Sequence, residues 1–187
     1  MLKWTRIVGV FTGVLAFVGF IQVVAFIQSE RAFIAATAFS IVGVHPVANT
    51  NLILSMEIKN SGKSTGFISA LNISGKFVPA REQLPERPEY TKSNEISPGP
   101  IVAGGSYKIR NEPQGFKDEP HLVLTDADVS ALKRGDFIFY IYGAISYTDE
   151  FSIFGERRTG FCARYNPEGD AATSFDNCPD KNYTYAR

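Results

Sequence analysis

Phe137-Ile138-Phe139-Tyr140-Ile141-Tyr142-Gly143-Ala144-Ile145-Ser146-Tyr147 decides the fold. Phe137, Phe139, Ile141, Ile145 and Tyr147 fall on one side of a period-2 pattern, and Ile138, Tyr140 and Tyr142 on the other. A strand rich in aromatic and β-branched residues and apolar on both faces belongs in the middle of a sheet. Thr148 to Gly155 reads as a turn, and Arg157 to Tyr165 as the returning strand, with Phe161, Ala163 and Tyr165 on one face.

Upstream the alternation recurs. Leu52, Leu54, Met56 and Ile58 alternate with Ile53, Ser55, Glu57 and Lys59, which predicts a half-buried strand. Asn60-Ser61-Gly62-Lys63-Ser64 is a turn cluster. Phe67, Ser69, Leu71, Ile73 and Phe77 follow as the next expected inner face. Ala32 to Val42 is expected as a strand carrying Phe33, Ala35, Thr37, Phe39 and Ile41 on one side. Gly104 to Arg110 is another, with Tyr107 and Ile109 inward. Between them, Pro79 to Pro100 holds five of the ten prolines and reads as an extended surface loop, because proline removes ladder donors.

A single helix is expected here, from about Asp126 to Arg134. Thr125 caps it, Asp128 holds the third helical position and Gly135 ends it. The residues from Pro167 on are polar and turn-rich. Short strands with one helix predict a mainly β, antiparallel sandwich.

Ahead of this domain, Ile7 to Ile27 carries no charge. As a helix that run is ~31 Å long, enough to cross a hydrocarbon core. It exceeds a signal peptide's apolar core, and no A-x-A site follows, so an uncleaved anchor is expected. Trp4 sits at an interfacial position. Lys3 and Arg6 precede the run and Glu30 and Arg31 follow it, which favours a cytoplasmic N-terminus. Gly9, Gly13 and Ala16 form a small-residue face suited to helix packing. Gln22 lies inside the span, placed to bond a partner helix or to satisfy itself locally.

The organisation expected is thus a transmembrane anchor over 1–30, a β-sandwich over 31–166 and a tail over 167–187. With 19 basic and 19 acidic residues the chain is formally neutral, which argues against nucleic acid. Setting aside Lys3, Arg6 and Glu30 leaves the remainder at −1, with no electrostatic pull towards anionic lipid.

Three stretches resemble a widespread group of small bacterial membrane-anchored proteins with an N-terminal membrane helix and an immunoglobulin-like β-domain. The first is Arg31-Ala32-Phe33-Ile34, where the β-domain starts. The second is the turn Asn60-Ser61-Gly62. The third is a late hairpin, Tyr142-Gly143-Ala144-Ile145-Ser146-Tyr147-Thr148-Asp149-Glu150-Phe151 followed by Gly155, Arg158, Phe161, Cys162 and Tyr165. The resemblance spans most of the chain and is specific in the hairpin, though Phe151 and Gly155 are spaced for a bulge or a longer loop. It implies an immunoglobulin-like sandwich on an anchor, and no reaction or ligand.

Cys162 and Cys178 are the best-defined chemical pair. A bridge would close a loop of about 16 residues, contribute on the order of 3 kcal/mol, and need an oxidising compartment. Other motifs have bland readings. Gly62-Lys63-Ser64-Thr65 lacks the earlier glycine of a phosphate loop, since Glu57 stands there, and a strand follows instead of a helix. Asp126-Ala127-Asp128 lacks the Gly and Glu of a calcium loop, with Ala131 and Phe137 in their places. His45 and His121 sit beside Pro46 and Pro120 in loops, and no G-x-S-x-G elbow occurs. Asp149 with Arg157 or Arg158 reads as a hairpin-end ion pair. Tyr140, Tyr142, Tyr147 and Tyr165 are expected to be buried, and Tyr183 and Tyr185 exposed. Asn72-Ile73-Ser74 and Asn182-Tyr183-Thr184 match the glycosylation pattern but carry no weight in a bacterial context.

No catalytic, cofactor or metal residue is assigned, and an enzyme is not expected. The expected protein is a single-pass inner-membrane protein whose periplasmic sandwich is a binding or interaction module, with the bilayer and an unknown protein as partners. The alternative is an accessory subunit docking through its helix.

Overall fold

Strand β6 (Phe137–Asp149) is the axis of a six-stranded antiparallel sheet. In this computed structural model residues 2–42, 45–50, 52–86, 88, 99–111, 123–152, 155–169, 174–178 and 180–186 are described. Helix α1 (Leu2–Glu30) comes first. Strands β1 (Ile34–Ile41), β2 (Leu54–Asn60), β3 (Gly66–Pro79), β4 (Pro100–Ile101) and β5 (Ser106–Asn111) follow. Then come helix α2 (Asp126–Arg134), β6, β7 (Arg157–Tyr165), β8 (Phe175–Asn177) and β9 (Tyr185–Ala186). One sheet runs β1-β2-β5; the other runs β4-β3-β6-β7-β8, with β9 also on β7.

The main core lies between the sheets. Ile34, Leu54, Met56, Ile58 and Ile109 from the smaller sheet meet Ile68, Leu71, Phe139, Ile141, Ile145, Tyr147, Phe161 and Tyr165 from the larger. A second cluster lies on the opposite face of the larger sheet: Val78, Tyr140, Tyr142, Cys162 and Tyr183, flanked by Leu84, Ile138 and Cys178. The chain's own C-terminal residues cover that face. This is why β6 can be apolar on both sides.

Two bulges reset the alternation that the sequence predicts. In β1 the register shifts between Ala36 and Ala38. Ahead of that shift Ala32 and Ile34 are buried and Phe33 is exposed; after it Ile41 is buried and Phe39 packs on the core. The expected face is therefore correct only beyond Thr37. In β3 the shift falls between Ile68 and Ala70, so Ile68 is buried and Phe67 exposed, while Leu71 is buried as expected. An extra residue in one strand moves every later side chain to the other face. Tyr107 also departs from expectation and is exposed, on edge strand β5, while Ile109 is buried.

Helix α2 occurs where its caps predict. Thr125 Oγ1 accepts from Asp128 N at 3.2 Å, and Thr125 N donates to Asp128 Oδ2 at 2.9 Å. Thr125 Oγ1 also donates to Asp128 Oδ2 at 2.7 Å, and this bond, with the one from Thr125 N, holds the Asp128 carboxyl below its ordinary pKa. Gly135 closes the helix at φ 75°, where only glycine is unstrained. Leu124, Val129 and Leu132 pack on the core beside the Phe137 end of β6.

The residues beyond Pro167 supply β8 and β9, which the sequence does not reveal. Tyr183, expected outside, is 1% exposed. Its ring meets Tyr142 edge-on at 5.1 Å, and its hydroxyl donates to Pro85 O at 2.8 Å. The Sγ atoms of Cys162 and Cys178 stand at bonding distance with Cα atoms 5.3 Å apart. Of the proline-rich loop, 79–86, Pro88, Gly99 and Pro100 are described, and 87 and 89–98 lie outside the described residues.

Replacing Cys178 by Ser is expected to lower stability by about 3 kcal/mol. It should also open the Tyr183–Ala186 segment to protease before the β6–β7 core melts. Urea midpoints and time-resolved proteolysis of the full chain in detergent check both. Unchanged cleavage in that segment would show that packing on Tyr142 holds it without the sulfurs.

Candidate functional site

The densest polar network among the described residues is where α1 enters the sandwich. α1 ends at Glu30 and β1 starts at Ile34, so Arg31, Ala32 and Phe33 make the whole connection. Arg31 Nε approaches Asp149 Oδ2 at 3.2 Å; Arg31 Nη2 reaches Asp149 Oδ1 at 3.4 Å and Ser152 Oγ at 3.2 Å. Ala32 N donates to Asp149 Oδ2 at 3.0 Å, and Arg157 Nη1 donates to Ala32 O at 2.9 Å. Phe151 N and Ser152 Oγ donate to Asp149 Oδ1 at 3.0 and 2.9 Å.

The side chain of Asp149 has no exposed surface, and that of Arg31 is 13% exposed. Burial by itself pushes the Asp149 carboxyl up. The hydrogen bonds from Arg31, Ser152 and Ala32, with the Arg31 charge, outweigh it and hold the pKa below the ordinary carboxylate value. The expected pairing of Asp149 with Arg157 or Arg158 is thus corrected. Its partner is Arg31, from the other end of the chain, while Arg157 serves the Ala32 carbonyl and lies 6.0 Å from the Tyr147 ring centroid.

Asn60 completes the junction. It is fully buried and uses its whole amide. Oδ1 accepts from Phe33 N at 3.2 Å and Gly62 N at 3.0 Å; Nδ2 donates to Ser64 O at 2.8 Å and Ile101 O at 2.9 Å. Its backbone exchanges hydrogen bonds with Gly104 and Gly105. Gly62 is required here, because a Cβ at that position would strike Arg31 O and Phe33 N. Lys63 N donates to Arg31 O, and Lys63 Nζ pairs with Glu30 Oε1 at 2.8 Å. The Lys63–Glu30 pair is exposed and contributes little.

The three stretches Arg31–Ile34, Asn60–Gly62 and Tyr142–Phe151 therefore meet at one place. The sequence names each but does not couple them, because Arg31 and Asp149 are 118 residues apart. Chemically the network positions and does not react: five donor atoms already occupy the Asp149 oxygens. What it fixes is the path of the chain leaving α1.

A groove of about 610 Å³ runs beside this junction, between β1 and the segments laid on β7. Phe33, Ala36 and Phe39 form one wall; Thr159, Phe161 and Tyr185 line the other side. Thr159 Oγ1 is buried there without a hydrogen-bond partner among the described residues.

The remaining sequence candidates scatter. A Cβ at Gly9 or Gly13 would meet nothing within 4 Å, so the face they share with Ala16 is open. Cys162 and Cys178 lie across the sheet from the main core. His45 Nδ1 is 3.0 Å from Tyr165 Oη. Burial raises the Tyr165 pKa. His121 lies outside the described residues. No protein-family profile and no curated protein matches this chain.

Asp149→Asn keeps the shape and removes the charge that Arg31 faces. It is expected to cost on the order of 3 kcal/mol, as for other pairs broken inside a protein. The pH dependence has a definite sign. The native pKa lies below the unfolded value of about 3.9, so the contribution is complete above that value and is lost as pH falls through the native pKa. Urea midpoints should converge for wild type and Asp149→Asn on acidification from pH 7 to pH 3. Equal separation at both pH values would mean that the carboxylate charge is not what stabilises the junction.

Proposed function

We propose that the chain is a single-pass protein of a bacterial inner membrane, with a cytoplasmic N-terminus and a periplasmic immunoglobulin-like sandwich that serves as a binding or interaction module. The observation that carries this reading is the contrast at Arg31. On one side is an apolar helix that the sandwich leaves uncovered. On the other is a junction in which Arg31 Nε and Nη2 and the Arg31, Ala32 and Phe33 backbone groups facing the sandwich are held. The window Ile7–Glu30 has mean hydropathy 2.4 and none of it is buried. A surface of that kind needs a bilayer or a second protein around it.

Lys3 and Arg6 ahead of the span support a cytoplasmic N-terminus. Cysteines at bonding distance suit an oxidising compartment on the other side. The strand order supports the immunoglobulin-like reading. In constant-type domains strands 1, 2, 5 and 4 form one sheet and 3, 6 and 7 the other. Here β1-β2-β5 opposes β3-β6-β7, with β4 moved to the edge of β3. The groove between β1 and β7 is the place on the sandwich best shaped to receive a partner segment, since an edge strand offers unpaired backbone groups. The open Gly9, Gly13 and Ala16 face favours a second reading, an accessory subunit that docks through α1.

Labelling intact cells with a membrane-impermeant maleimide, before and after reduction, tests the placement. Cys162 and Cys178 are expected to label from outside only after reduction. Labelling only after lysis, with no reductant needed, would invert the topology. Gly9→Leu with Gly13→Leu separates the two readings: a complex lost in that variant, with the sandwich intact, belongs to the helix.

A further inference from the structure

We infer that the end of the sandwich next to α1 is itself a membrane-contact surface, with the turn Val102-Ala103-Gly104 resting in the headgroup layer. This rests on the reading of α1 as a span.

Depth is the first argument. The apolar run ends at Ile27, and three more helical residues add ~4.5 Å before the helix ends at Glu30. The headgroup region is itself ~5–8 Å thick on each side of the hydrocarbon core. Arg31 and Ala32 therefore lie at headgroup depth. They are not a free tether, because Asp149, Ser152 and Arg157 grip them. Whatever is fixed to them shares their depth.

The second argument is connection. Phe33 N and the Ile101 carbonyl bond the same Asn60 side chain, and Gly104 N and Gly105 O bond its backbone. The 102–104 turn is thus two hydrogen-bonded steps from the mouth of the helix. Lys63 N, on the adjoining turn, bonds Arg31 O directly.

The third is chemistry. Pro100 to Tyr107 contains no charged residue. Val102 is 61% exposed, and Ala103 and Gly104 are exposed beside it. Phe67, paired with Pro100, and Tyr107, on β5, are also exposed at this end. Apolar side chains flanked by aromatics suit the boundary between headgroups and acyl chains. Lys63 on the adjoining turn is paired with Glu30, and Lys59 stands opposite Ser106 at the start of β5; the turn itself carries no charge, so its own attraction is apolar and is tested on a zwitterionic lipid.

The chain has one tryptophan, Trp4, which makes a fluorescence test direct. The full chain would be reconstituted in phosphatidylcholine vesicles with and without brominated acyl chains. Wild type reports the span through Trp4. Trp4→Phe combined with Val102→Trp reports the turn, and Trp4→Phe with Val123→Trp reports the far end, where Val123 lies beside Phe77 and Phe137. The expected result is blue-shifted, quenched emission from wild type and from the Val102→Trp variant, and unquenched emission from the Val123→Trp variant. Ala103→Trp repeats the measurement if Val102→Trp does not fold. An unquenched turn with a quenched Trp4 would overturn the contact and leave the span standing. Quenching at Val123→Trp as well would overturn the end-on placement. An unquenched Trp4 would remove the span, and this inference with it.

Discussion

Asp149 is a carboxylate with no water left to solvate it, and the rest of the molecule is arranged around that fact. A buried charge is tolerated only when opposite charge and donors replace the lost hydration. Arg31 supplies the charge, and the Ala32 and Phe151 amides and the Ser152 hydroxyl supply further donors. Those groups come from the foot of α1 and from the end of β6. Meeting the needs of one side chain therefore fixes the first strand against β6, the central strand of the larger sheet. It also settles how the sandwich is presented to whatever surrounds α1. Asn60 does for the β2–β3 turn what Asp149 does for the β6–β7 turn, with neutral hydrogen bonds in place of charge.

The second organising constraint is the two-faced character of β6. Phe139, Ile141, Ile145 and Tyr147 need cover on one side, and Tyr140 and Tyr142 on the other. The smaller sheet provides the first cover. The C-terminal residues provide the second by folding back over β7. Their sequence looks like a solvated tail because its burial is not periodic: Tyr183 does the work of a core residue from a turn. Gly143 lies at the crossing of these layers, where a Cβ would strike the Asn72 carbonyl and the Phe161 ring.

Much of this was legible in the chain. The apolar helix, the β6–β7 pair, the β2 alternation and both caps of α2 stand out because each is a local signal within a few residues. What was not legible is non-local. A bulge at Thr37 or Ser69 leaves no mark in composition, yet it reverses the inside and outside of half a strand. From sequence the partner of Asp149 reads as Arg157 or Arg158, next to it in the hairpin, while the true partner is Arg31, which reads as the flank of a membrane span. Arg31, Asn60, Gly62 and Asp149 each stand out in the sequence, Ser152 and Ile101 do not, and only the fold reveals that they touch.

The distance along the chain between Arg31 and Asp149 has a consequence in time. At ~5–20 residues per second, about 6–24 s separate the synthesis of the two ends of this contact. Throughout that interval Arg31 is made and its counter-charge is not. Helix α1 is complete while the domain that follows it is still open. The grip on the helix closes late, after the whole of β6 has emerged, and the cover over Tyr142 closes later still. Assembly thus runs from loose to rigid: α1 is held by Arg31 only once Asp149 exists, and the face of Tyr142 is covered last, by Tyr183.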